Sequence, residues 1–141
     1  MDDPTRNVVL SASALITMHA IGAVIAIAMR WPAQFGGPGD PDAVFTELFW
    51  RGGPFTAPLP LLVFYSMAVA GAMRSGRPGK WSTGVVAAIT CIFTGGTAGE
   101  VLSPYTGQVP RVPLWAGSVA GFAACLVTLA MCLRRLREPP R

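Results

Sequence analysis

Residues 8–29 carry no formal charge, and no other feature constrains this chain more. As a helix rising 1.5 Å per residue the stretch is about 33 Å long, enough to cross the hydrocarbon core of a bilayer. The segment before it contains Asp2 and Asp3, and the apolar run is longer than the core of a secretory signal. Both points favour a retained span, although Ala26-Ile27-Ala28 imitates a cleavage site. Further apolar runs follow at 55–73, 81–102 and 114–133. Only 13% of the 141 residues are charged, against about 25% in an average soluble domain. The predicted fold class is therefore all-α: one domain, 1–141, forming an integral membrane antiparallel four-helix bundle.

The connections fit this reading. Trp31-Pro32 marks a helix exit, because the residue before proline avoids helical backbone and tryptophan favours the membrane interface. The stretch 35–39 is a glycine- and proline-rich turn. Asp40 or Asp42 can then cap a short helix over 42–51, with Phe45, Leu48 and Phe49 as its apolar stripe. Such a helix lies in the interface or folds over the bundle mouth as a lid. Residues 74–80 read as a tight basic turn, 103–113 as a polar loop and 134–141 as a basic tail.

Charge sets the expected orientation. Arg74, Arg77 and Lys80 in one connection, and Arg134, Arg135, Arg137 and Arg141 in the tail, belong on the cytoplasmic side. Both termini then lie inside a cell (plasma or inner) membrane, and the lid helix and the Tyr105 loop lie outside. The net charge of +4 comes from these flanking clusters, so nucleic acid is not an expected partner. Cys91, Cys125 and Cys132 all lie within apolar runs and have neither a disulfide framework nor metal-ligand spacing. No motif calls for a metal or an organic cofactor.

The candidate chemistry rests on a few polar groups. In the third run Thr90, Phe93, Thr97 and Glu100 recur at helical spacing, so they share one face. Glu100 sits about one turn inside the outer end, where a covered carboxyl can serve as general acid or base and a wet one is merely a helix terminus. His19 is the single histidine and falls mid-span, where an ionisable group is costly and marks a functional site unless it only ties two helices together. Glu47 and Arg51 stand four apart on the lid helix. They form either an ordinary surface pair or, with Glu100 and Tyr105, a polar cluster closing the outer mouth. Tyr65 lies at the expected depth of His19 and is positioned to hydrogen-bond it.

The expected function is cofactor-free acid–base chemistry, such as isomerisation, cyclisation or epoxide opening, on a small lipophilic substrate held between the helices. Glu100, Glu47 and His19 are the expected catalytic groups. Tyr65, Arg51, Thr97, Tyr105 and Phe93 are the expected substrate contacts. The alternative is a non-catalytic subunit or homo-oligomeric scaffold, assembled through Gly117 and Gly121 of the G-x-x-x-G pair and the glycines of the third run. An oligomeric small transporter or channel is the third reading.

Overall fold

The computed structural model describes residues 3–33, 38–102 and 109–138. These form five helices: α1 (Asp3–Ala28), α2 (Val44–Trp50), α3 (Leu59–Ala72), α4 (Gly76–Leu102) and α5 (Arg111–Arg137). Helices α1, α4 and α5 are each long and apolar enough to cross a membrane, while α3 is a shorter apolar helix of 14 residues. α1 and α4 both pack on α3 and α5, and α2 rests against α1 and α3.

The inward stripe of α1 shows why the elements associate. Val8, Ala12, Leu15, His19, Gly22 and Ala26 are buried, and they recur every three or four residues. Leu62, Tyr65 and Val69 of α3, Val86, Ile89 and Phe93 of α4, and Cys125 and Cys132 of α5 complete the same core. The outward faces are just as apolar. Val24 is 65% exposed, Met67 66% and Val119 62%. A helix that is apolar all round and only partly covered by its neighbours is suited to a lipid surrounding.

Several helix boundaries depart from the apolar runs, each for a local reason. α1 begins at Asp3, because Pro4 fits a first turn where its missing N–H costs least. α3 begins at Leu59 rather than at Phe55, with Pro58 as its N-cap and Pro60 in the opening turn. Residues 55–58 are left outside the helix. The expected basic turn over 74–80 is mostly helix: α4 starts at Gly76, so Arg77 and Lys80 lie in its first turns. α5 likewise continues to Arg137, through most of the expected tail. Neither Asp40 nor Asp42 caps α2, whose N-cap is Ala43 without a side-chain bond. Instead the Asp40 carboxylate accepts from the Asp42 N–H at 2.9 Å, closing a turn on itself.

The junction of α3, α4 and α5 is fastened by Arg135. This side chain is buried and donates to the carbonyls of Ala72 and Arg74 and to the Thr83 hydroxyl. Ala72 and Arg74 mark the end of α3, where carbonyls lack helical partners and attract a cation. The close approach depends on Gly79, where an added Cβ would lie 1.8 Å from the Arg74 carbonyl oxygen. At Gly84, one further turn and a half along, nothing lies within 4 Å. Gly79→Ala should therefore cost at least about 1–3 kcal/mol of stability through overpacking. Gly84→Ala should be neutral or slightly stabilising, because alanine is the better helix former. Thermal unfolding of the two variants in detergent checks the contrast, and equal midpoints would refute the packing described.

Candidate functional site

Between α2 and α3 the chain makes a tight turn inside the helix cluster. Gly53 and Thr56 exchange both backbone hydrogen bonds at 3.0 Å, so Pro54 and Phe55 form the turn's centre. Phe55 has φ 68°, a left-handed conformation that a type II turn normally reserves for glycine at this position. For an aromatic residue the strain is on the order of 1–3 kcal/mol and persists only where the surroundings impose it. Two glycines supply those surroundings. A Cβ on Gly22 of α1 would fall 2.7 Å from the Phe55 carbonyl oxygen, and one on Gly117 of α5 would fall 2.4 Å from its ring. Phe55 is thus seated between α1 and α5 where only glycine leaves room.

The Phe55 peptide groups gather the two main candidate residues. His19 Nδ1 lies 3.1 Å from the Phe55 carbonyl oxygen and 3.3 Å from the Ala57 nitrogen. Nδ1 serves one of the two at a time: protonated, it donates to the Phe55 carbonyl and leaves Nε2 with a free lone pair, whereas unprotonated it accepts from the Ala57 N–H and leaves the proton on Nε2. On the other side, the Phe55 N–H donates to Glu100 Oε2 at 3.4 Å. His19 from α1 and Glu100 from α4, far apart in sequence, therefore meet at one residue of the turn. The edge of the His19 ring also packs on Phe93, with centroids 4.6 Å apart.

Two cavities adjoin this turn, of about 280 and 200 Å³. His19, Phe55, Thr97 and Glu100 line both. The larger continues between α1 and α5 along Leu15, Ile25, Gly117, Ser118 and Cys125 and is almost wholly apolar. The smaller reaches Arg51, Leu61, Phe93 and Gly96. Among the described residues two buried side-chain atoms lack any hydrogen-bond partner, His19 Nε2 and Ser118 Oγ. Both belong to residues of the larger cavity. A buried polar atom without a partner costs about 1–3 kcal/mol, a deficit that a ligand oxygen would remove. Thr83, Thr90, Thr97 and Thr128 each bond their own helix backbone, whereas Ser118 does not.

The expected site residues separate into groups. Glu100, His19 and Thr97 share both cavities, and Phe93 and Arg51 line the smaller one. Glu47 pairs with Arg51 at 3.0 Å, as its spacing predicts. Its remaining capacity is taken within the loop, accepting from the Ala33 N–H at 2.8 Å and the Asp40 N–H at 3.0 Å. It lines neither cavity, and its bonds tie together the loop between α1 and α2. The expected Tyr65–His19 bond is not formed: Tyr65 pairs with Thr90 at 3.1 Å, and Phe93 packs on both rings. Tyr105 lies outside the described residues. Ser118 was legible only as a small residue of the G-x-x-x-G face, since nothing local shows that its hydroxyl faces no backbone partner. That face is used within the chain, because Gly117 seats Phe55 and Gly121 lies against Thr97.

No protein-family model, curated protein or solved structure matches the chain. The geometry alone must therefore carry the functional reading. It makes a direct prediction. Gly22→Ala should push the Phe55 carbonyl away from His19 and lower stability by about 1–3 kcal/mol. The ¹⁵N resonance of His19 Nδ1 should move with it, and an unchanged resonance would mean that the contact does not hold the ring.

Proposed function

We propose that the chain is a small integral membrane enzyme, an antiparallel four-helix bundle of α1, α3, α4 and α5 in the cell membrane with both termini cytoplasmic. It acts on a small lipophilic substrate by cofactor-free proton transfer, with isomerisation as the simplest outcome. One observation carries the reading: His19 and Glu100, on different helices, wall the same apolar cavity. At about 280 Å³ this cavity stands near the lower end of small-molecule sites, which run from about 300 to 1,000 Å³.

In this mechanism His19 Nε2 takes a proton from the substrate and the Glu100 carboxyl returns one at a second atom. The product is an isomer, and a reverse exchange through solvent resets both groups. This step uses the tautomer in which Nδ1–H donates to the Phe55 carbonyl; in the other, Nδ1 accepts from the Ala57 N–H and Nε2 carries the proton. The Ser118 hydroxyl, buried and unpartnered, can donate to an oxygen of the substrate and support charge that develops there. Apolar walls from Leu15, Ile25 and Cys125 favour a guest with a single polar function, such as a carbonyl or a hydroxyl, on a hydrocarbon frame. Glu47 and Tyr65, bonded elsewhere, support the lid and the core and do not act on the substrate. A scaffold assembled through Gly117 and Gly121 is less favoured, because both glycines already face partners within the chain.

The test uses Glu100→Gln, which keeps the shape and the capacity to accept from Phe55. Lipophilic extracts are passed over immobilised wild-type and variant protein in detergent, and retained compounds are identified by mass spectrometry. The variant should hold a compound that wild-type protein converts into an isomer of identical mass. Conversion by the variant should be slower by about 10²–10⁴-fold, the usual contribution of a positioned acid or base. Equal conversion by both proteins would remove Glu100 from the mechanism, and retention of no compound would remove the enzyme reading.

A further inference from the structure

We propose that a groove at the opposite end of α4 binds one anionic phospholipid. The inference rests on the membrane placement proposed above, though not on the chemistry of Glu100 and His19. The groove has a volume of about 480 Å³ and lies along the first turns of α4, beside Leu136 of α5. Two cations, Arg77 and Lys80, stand at its upper end, and Trp81 follows. The floor then becomes wholly apolar, formed by Gly84, Val85 and Ala88. Arg77, Lys80 or Trp81, Gly84 and Ala88 recur every three or four residues, so they form one stripe down the helix. From Arg77 to Ala88 the stripe is about 16 Å long. It is charged at one end and smooth at the other.

That gradient matches one kind of molecule: a phosphate on the cations with an acyl chain lying along the small-residue floor. Basic pockets beside membrane helices on the cytoplasmic side recognise acidic head groups in this way. Gly84 adds room, since nothing lies within 4 Å of where its Cβ would stand. Trp81 is 78% exposed, as a residue at head-group depth should be. Lys80 donates to the Glu138 backbone carbonyl, which uses one of its three donors and holds the end of α5 against the groove. The buried Arg135 is occupied by the α3 carbonyls and Thr83, so Arg77 and Lys80 are the groove's own cations.

The test is native mass spectrometry of the full chain in neutral detergent, titrated with phosphatidylglycerol or with phosphatidylcholine of the same acyl chains. One phosphatidylglycerol per chain should be retained, at least about 10-fold more tightly than phosphatidylcholine. The double variant Arg77→Gln with Lys80→Gln should abolish the preference. Arg30→Gln with Arg111→Gln, which removes the same charge elsewhere, should not. Gly84→Leu should fill the floor and weaken retention with every charge intact, and Ala88→Leu serves the same end should the first variant fold poorly. Loss of preference in both double variants alike would show diffuse charge and overturn the site. So would full retention in the filled-groove variants, or displacement of the lipid by an equal concentration of glycerol phosphate. A chain that stays soluble without detergent would defeat the membrane placement itself. A chain that needs detergent yet treats both lipids alike would defeat only the groove.

Discussion

The backbone groups of Phe55 find their partners inside the helix cluster, and the rest of the site is arranged around them. Irregular backbone inside a helix cluster is tolerated where its N–H and C=O groups find partners within the protein. The turn at Phe55 meets part of that need through the Gly53–Thr56 pair. His19 and Glu100 meet the rest, one on each side of the Phe55 peptide. The two residues with the most evident chemical capacity thus also hold backbone in place. In each case one atom is committed to the turn, and for His19 the other ring nitrogen is left without a protein partner.

Much of the architecture was legible in the sequence because it follows from periodicity. The buried stripe of α1 and the shared face of Thr90, Phe93, Thr97 and Glu100 both come from helical spacing. What spacing cannot supply is the rotation and depth of one helix against another. Tyr65 therefore pairs with Thr90 rather than His19, although the two lie at comparable depths. Glu47 was open to a catalytic or a surface role. Its loop partners, the N–H groups of Ala33 and Asp40, depend on how the chain folds back after α1 and leave no local pattern.

Phe55 is the clearest case of a residue whose place hydropathy alone does not reveal. The sequence places it at the start of the second apolar run, whereas it lies in the turn before α3. Only the three-dimensional fit of its ring between Gly22 and Gly117 selects a turn with a left-handed phenylalanine. The same fit explains why a G-x-x-x-G pair, usually a signature of contact between helices, here accommodates a side chain from a loop. Arg135 makes a similar point at the other end of the fold. It looked like part of a solvated basic tail, yet it is buried where three helices converge.

Phe55 lines both hollows and is the bulkiest residue common to them. Its position therefore bounds the space in each. A side chain added at Gly22 or Gly117 would displace Phe55 and so reshape both hollows together. The shape of that space thus depends on two glycines and one phenyl group as much as on His19 and Glu100.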